Sequence, residues 1–262
     1  MILALDVGNT QVFGGVFDGS ELLFRFRMNT SAVHSSDQYG LFLKSVLREN
    51  GVDPSAIERI GICSVVPESV HSLVNCCRKY FKLSPFVLKA GVKTGLKIRY
   101  KNPSEVGPDR IADAIAGSVL YPDRDLIIID FGTATTIEVV SKDKEYLGGA
   151  ILPGLKISMQ ALEKNTSRLP SVEIVKPSSS IGKTTTESIQ SGLYYGVIGS
   201  LKELKHNISE EQFCDSDTLV IGTGGFASLF SKAGLFDEER PNLVLEGLVI
   251  AMNMNEEKGR SL

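Results

Sequence analysis

Two stretches of the sequence end an apolar run in aspartate and follow it with glycine and small polar residues. The first is Ile2-Leu3-Ala4-Leu5-Asp6-Val7-Gly8-Asn9-Thr10; the second is Ile127-Ile128-Ile129-Asp130-Phe131-Gly132-Thr133-Ala134-Thr135-Thr136. A glycine in such a turn lets backbone N–H groups approach an anion closely and form a nest for phosphate oxygens. Asn9, Thr10 and Thr133 add side-chain donors. A carboxylate beside the nest can hold Mg²⁺, which favours carboxylates together with phosphates. Either stretch alone also reads as an ordinary hairpin turn with an aspartate for turn chemistry. Their recurrence, about half a chain apart, argues for a pair of phosphate-binding loops. A third glycine group, Gly222-Thr223-Gly224-Gly225, follows Leu219-Val220-Ile221 and precedes a helical stretch. Such a junction can take the flat face of an adenine or a ribose, or serve only as a tight left-handed turn.

Gly107-Pro108-Asp109-Arg110 suggests a different chemistry. Pro108 suits a first helical turn, which sets Asp109 near a helix N-terminus. There the helix dipole is expected to keep the carboxylate ionised, ready to accept a hydrogen bond and then a proton from a substrate hydroxyl. The planar fork of Arg110 can engage a substrate carboxylate. A helix-start aspartate paired with its neighbouring arginine is the plainer account of the same residues. Gly182-Lys183-Thr184 imitates the end of a Walker A loop, but the first glycine of that motif would fall at Pro177, and Ser178-Ser179-Ser180 offer no substitute. That segment reads as a loop entering a capped helix.

The loops need elements to hold them. In each aspartate stretch an apolar run, a small-residue turn and a second apolar run read as a β-hairpin rather than a strand-to-helix loop. The returning strands are expected over Val12 to Phe17 and over Ile137 to Ser141. Asp18-Gly19-Ser20 then turn the chain into a third strand, Glu21 to Arg27, and Lys142 to Lys144 do the same ahead of Glu145 to Gly149. Ser36 or Asp37 can cap a helix with Tyr39, Phe42, Leu43, Val46 and Leu47 on one face, ending near Gly51. Ile111, Ala114, Ile115 and Val119 repeat at helical spacing after Pro108. Thr184 and Glu187 have capping-box spacing ahead of Ile189, Leu193, Val197, Leu201 and Leu204. Ala227 to Lys232 and Gly247 to Met254 read as further helices. Hairpin groups alternating with helices predict an α/β protein with mixed sheets. The internal repeat predicts two similar half-domains, 1–118 and 119–262, facing each other across a cleft.

Bulk properties narrow the function classes. The 262 residues carry a formal net charge of −3. With lysine and arginine scattered along the chain, no basic field for nucleic acid is expected. The four cysteines, Cys63, Cys76, Cys77 and Cys214, form no CxxC pair, and only His34, His71 and His206 could complete a metal site. Cys76-Cys77 reads as core and surface rather than a ligand pair, and the pattern suits free thiols in a reducing cytoplasm. Asp6 interrupts the only N-terminal apolar run, which lacks a basic flank, so no signal peptide is expected. The apolar stretches are of strand length, so no membrane span is expected either.

The order Asp–Gly, Asp–Gly, Gly–Gly resembles the phosphate-1, phosphate-2 and adenosine motifs of the superfamily of actin, heat-shock chaperone ATPases and sugar kinases, whose half-domains are ribonuclease H-like. Residues 1–250 resemble type III pantothenate kinases. The matching pieces are DVGNT (Asp6–Thr10), CSVVP (Cys63–Pro67), KTGLKIRYKNPSEVGPDR (Lys93–Arg110), IIDFGTATT (Ile128–Thr136), YLGGAILPG (Tyr146–Gly154), IGKTTTESIQSG (Ile181–Gly192) and GTGGF (Gly222–Phe226). The resemblance implies an actin-like fold around a nucleotide cleft and ATP-dependent phosphorylation of the primary hydroxyl of pantothenate to 4′-phosphopantothenate, which opens coenzyme A biosynthesis. It implies ATP contacts at Asp6, Val7, Gly8, Asn9, Thr10, Gln11, Val12, Phe13 and Thr133. Pantothenate contacts are implied at Tyr100, Gly107, Pro108, Asp109 and Arg110, with Asp109 the proton acceptor. Thr185 would reach pantothenate from the partner subunit of a homodimer. Asp130 would help bind a monovalent cation, K⁺ or NH₄⁺, and Asp6 is a candidate Mg²⁺ ligand. Where Pro108 stands, the family more often has alanine.

Two other classes fit the loops. One is a different small-molecule kinase of the same superfamily, since fold does not fix substrate. The other is a non-catalytic nucleotide-binding regulator. The Tyr100 and Gly107–Arg110 pieces argue against the first, and the joint presence of Asp109 and Asp130 against the second.

Overall fold

β1 (Ile2–Val7) and β2 (Gln11–Asp18) pair antiparallel, with Ile2 opposite Phe17 and Val7 opposite Val12. The first aspartate loop is therefore a hairpin turn, as its pattern predicts. β3 (Glu21–Asn29) adds to β2, with a bulge between Val16 and Phe17. On its other side β1 pairs parallel with β4 (Arg59–Ser64), and β4 pairs parallel with β5 (Phe86–Val87). The computed structural model describes residues 1–30, 34–213 and 217–256, so Cys214 lies outside the described residues.

Side chains alternate across this sheet with period two. Leu3, Leu5, Val7, Val12, Val16, Phe26, Ile60 and Ile62 enter one core. α1 (Ser36–Glu49) and α2 (Pro67–Cys76) supply Tyr39, Leu43, Leu47, Leu73 and Cys76 to it. The opposite face carries Ala4, Asp6, Phe13, Gly15, Gly61 and Cys63. α6 (Leu243–Glu256) packs against β1 and β4. A Cβ at Gly61 would collide with Met252, and one at Gly247 would collide with the backbone of Ala112. Ala112 belongs to α3 (Pro108–Leu120), which β6 (Lys97–Ile98) and a 3₁₀ turn at Pro103–Glu105 precede. Met1–Val119 and the chain from Leu243 thus form one compact unit, and Leu120–Asn242 form the other. The last helix sits with the first unit although it follows the second in the chain.

The second unit repeats the plan. β7 (Leu126–Phe131), β8 (Ala134–Val140) and β9 (Glu145–Pro153) form an antiparallel meander, and β10 (Leu219–Thr223) and β11 (Glu238–Glu239) extend it in parallel. Five consecutive strands of this six-stranded sheet, β9-β8-β7-β10-β11, follow the order β3-β2-β1-β4-β5 of the first. Each aspartate lies near the end of the strand shared by an antiparallel hairpin and a parallel pair. These are the two mixed sheets of the α/β class. α4 (Leu155–Asn165) and α5 (Thr185–Gln212) cover the inner face through Leu155, Met159, Ile189, Leu193 and Leu201. Phe230 stacks between Phe131 and Tyr194, with ring centroids 4.9 and 5.2 Å away.

Some boundaries moved for local reasons. Ser35, not Ser36 or Asp37, caps α1, because Gln38 three residues on completes a reciprocal capping box: its N–H donates to Ser35 Oγ at 3.2 Å and its Oε1 accepts from Ser35 N at 2.8 Å. Thr184 caps α5 as its spacing predicts, accepting from Glu187 N at 3.2 Å, while Glu187 reaches past the cap to Lys183 N at 2.7 Å. Ala227 to Lys232 makes only a 3₁₀ turn, Ala227–Phe230. No helix among the described residues is long and apolar enough to cross a membrane.

Candidate active site

In the first unit the strand register assembles the site. The row Cys63, Asp6, Phe13, Arg27 runs across β4, β1, β2 and β3, with neighbours in direct opposition. Residues in one row share a face of the sheet. Beyond Asp6 the chain turns at Asn9 and Thr10, both exposed, and closes when Gly8 N donates to Gln11 O at 3.0 Å. The end of β3 pins this turn. Thr30 Oγ1 donates to Gly8 O at 2.7 Å, and Thr30 N donates to Thr10 O at 2.9 Å. Val7, Val12 and Phe13 are buried supports, and Gln11 is half-buried. Arg27 lies over the Phe13 ring, 4.3 Å from its centroid, and donates to Gln11 Oε1 at 3.3 Å.

α3 brings the Gly107–Arg110 segment to the same unit's Asp6. Gly107, Pro108 and Asp109 are half-buried and Arg110 is buried. Asp109 Oδ1 accepts from Arg110 N at 2.8 Å, and a Cβ at Gly107 would strike that same oxygen. Glycine here lets the carboxylate fold back over the helix start. Tyr100 is half-buried in the stretch leading from β6 to that helix.

The electrostatics of the pair are unusual. Burial drives the Asp6 carboxyl up to about 7, with the negative charge of Asp109 adding to the rise. A hydrogen bond from Cys63 and the charge of Arg27 act the other way. Asp109 is also raised, chiefly by burial, against the pull of the Arg110 N–H and guanidinium. A helix dipole favours the ionised carboxylate, but desolvation is the larger effect and the Asp109 shift is upward. Burial together with Asp6, Asp109 and Asp113 holds the Cys63 thiol protonated, so it can only donate to Asp6. Asp113, buried one turn after Asp109, completes this acidic surround.

In the second unit Asp130 is half-buried at the end of β7, opposite Thr136 on β8 and Thr223 on β10. The loop of Gly224 closes on it. Gly224 has φ +88°, and a Cβ there would collide with Asp130 Oδ1 and crowd the Phe131 backbone at 2.7 Å. Phe226 N donates to Phe131 O at 3.2 Å. The second aspartate loop and the third glycine loop are therefore packed on each other. Thr133 is exposed at the β7–β8 turn, with its carbonyl against Gly154. Thr185 is the exposed first residue of α5. Gly182 packs against the backbone of Glu187 and Ser188, which makes its segment a helix entry, not a phosphate loop.

No sequence signal gave Arg27, Thr30, Cys63 or Asp113 a role at the site, although Cys63 opens the CSVVP piece. Arg27 could have been found by counting register outward from the first hairpin, which puts it level with Phe13 and Asp6. Cys63 needed the parallel pairing with β4, which no local signal announces.

A family model described as type III pantothenate kinase matches residues 2–207. A type III pantothenate kinase of Legionella pneumophila (strain Paris) is 58% identical over 255 residues, covering 97% of this chain and 99% of the relative. One from Elusimicrobium minutum is 49% identical over the same shares of both chains. Among solved structures, the activator of the 2-hydroxyisocaproyl-CoA dehydratase from Clostridium difficile with bound ADPNP superposes with a TM-score of 0.55 at 11% identity, covering 100% of this chain and 97% of that one. At that identity the likeness concerns the fold alone.

Proposed function

The chain belongs to the type III pantothenate kinase family, and from that premise we propose how its residues carry the reaction. The chain phosphorylates the primary hydroxyl of pantothenate with ATP, giving 4′-phosphopantothenate in the first step of coenzyme A biosynthesis. The observation that carries this reading is 58% identity to a type III pantothenate kinase over 97% of the chain, with Asp6 and Asp109 brought into one unit. Phosphoryl transfer depends on positioning and charge neutralisation more than on a reactive side chain. In this reading residues Asp6 to Phe13 and Thr133 hold ATP. Tyr100, Gly107, Pro108 and Arg110 hold pantothenate, Arg110 through its carboxylate. Asp109 accepts a hydrogen bond and then the proton from the attacking hydroxyl. Its upward shift brings it nearer the working pH, where a general base is most effective.

Asp6 suits a divalent cation. Its carboxyl is driven to about 7 by burial and by Asp109, and a bound cation would offset both. Mg²⁺ keeps water and phosphate among its ligands, so one carboxylate suffices to hold it. When bound, the ion would supply positive charge that offsets the negative charge of the phosphates. Asp130, a carboxylate with the glycine backbone of the Gly224 loop against it, offers the oxygen donors that K⁺ or NH₄⁺ would use. A homodimer in which Thr185 of one subunit meets pantothenate of the other, and a cytoplasmic location, complete the proposal. The exposure of Thr185 and the free, buried thiols of Cys63, Cys76 and Cys77 support them.

A coupled assay of ADP formation tests the reading, with pantothenate present or absent and with Na⁺, K⁺ or NH₄⁺ as the counter-ion. Pantothenate-dependent ADP release stimulated by K⁺ or NH₄⁺ is expected. ATP consumption indifferent to pantothenate would refute it.

A further inference from the structure

We propose that Arg27 is an additional nucleotide-binding residue, whose guanidinium faces the phosphates held by the Asp6 loop. The inference rests on the kinase reading above and adds a residue to it. The loop from Asp6 to Phe13 contains no cationic side chain. Around it the fold gathers Asp6, Asp109 and Asp113, all acids. A polyphosphate arriving at this loop meets carboxylates first, and a cation facing it has to come from another strand.

The register brings one. Arg27 stands in the same cross-strand row as Asp6, two strands away. Strands lie about 4.8 Å apart, so about 10 Å separates the two backbones. The Arg27 side chain spans part of that gap by lying back over Phe13, the residue between them, 4.3 Å from the ring centroid. Its Nη1 donates to Gln11 Oε1 at 3.3 Å, which ties the guanidinium alongside the β1–β2 turn. From there its charge acts on Asp6. The other guanidinium of the site, Arg110, is buried on α3, and its charge acts on Asp109 instead. The two arginines thus serve different ends of the site, Arg110 the acceptor substrate and Arg27 the donor. A planar guanidinium held on an aromatic face loses little freedom when it meets phosphate oxygens. Phosphate recognition favours this fork.

Calorimetric titrations of wild type, Arg27→Met, Arg27→Gln and Arg27→Lys with ATP and with adenosine test the proposal. A charge-assisted contact is worth roughly 10- to 100-fold in affinity. The two neutral variants should lose about that much for ATP and keep their affinity for adenosine. Arg27→Lys should recover part of it, and KM for pantothenate should not move. Arg25→Met, two residues further from Asp6 along the same strand, should behave as wild type. Unchanged ATP affinity in both neutral variants would overturn the inference, and so would equal losses for ATP and adenosine. Arg27→Gln puts a shorter neutral polar chain on an exposed edge strand, so a misfolded Arg27→Met leaves the test intact. A wild type that binds ATP but does not phosphorylate pantothenate would refute the substrate reading and leave the Arg27 titrations decisive.

Discussion

The thiol of Cys63 hydrogen-bonds the carboxylate of Asp6 across the parallel β1–β4 register, in which the two residues stand directly opposite. The second unit repeats the placement, with Thr223 opposite Asp130 across β10 and β7. In each unit the strand parallel to the aspartate strand sets a residue with an S–H or O–H group beside the carboxylate. For Asp6 this donor favours the ionised form, against burial and Asp109. Cys63→Ala should therefore raise the Asp6 pKa further and move the acid limb of the profile of kcat/KM for ATP to higher pH. Cys63→Ser, which keeps a donor, should move it less. Superimposable profiles would show that the thiol has no hold on Asp6.

Asp6 also links stability to pH. Unfolded, its carboxyl titrates near 3.8; folded, near 7. Between those values the unfolded chain has released a proton that the folded chain keeps, so stability falls as pH rises through the window. Above about 7 both states are ionised and the penalty is complete. Asp6→Asn removes it. At pH 8 the variant should be more stable than wild type by about 1–3 kcal/mol, an advantage that shrinks towards pH 5. Urea unfolding at the two pH values measures this, and an equal difference at both would contradict it. ATP-dependent turnover should fall in the same variant, a trade of activity for stability expected at a functional site.

Asp109→Asn should lower kcat by about 10²–10⁴-fold, the usual worth of a general base. Its folded pKa is raised, so neutralising it should not destabilise the protein and should stabilise it slightly near neutral pH. Turnover close to wild type would remove Asp109 from the mechanism. A large loss of melting temperature would mark it as structural instead.

Gly224→Ala should disturb Asp130 specifically. The new Cβ would occupy a left-handed backbone position and collide with the Asp130 carboxylate. A destabilisation of about 1–3 kcal/mol is expected, with weakened activation by K⁺ or NH₄⁺. At neighbouring Gly225 a Cβ meets nothing, so Gly225→Ala should be nearly silent in both measurements. Equal effects at the two glycines would break the link between the Gly224 loop and Asp130.

Much of this protein is written locally. The two aspartate hairpins, the Thr184 cap, Pro108 at the start of α3 and the glycine loop after β10 are legible because turn chemistry and apolar period act over a few residues. The repeat is legible for the same reason, and it predicted two similar half-domains with mixed sheets. What the sequence leaves open is what lies beside each aspartate. Asp6 meets Cys63 only through parallel pairing of distant strands, and Asp109 only through the seating of α3. α6 follows the second unit in the chain yet packs in the first, against β1, β4 and the backbone of Ala112. The sign of the Asp109 shift turned for the same reason. A helix dipole can be read from neighbours along the chain, whereas desolvation depends on everything folded around the carboxylate.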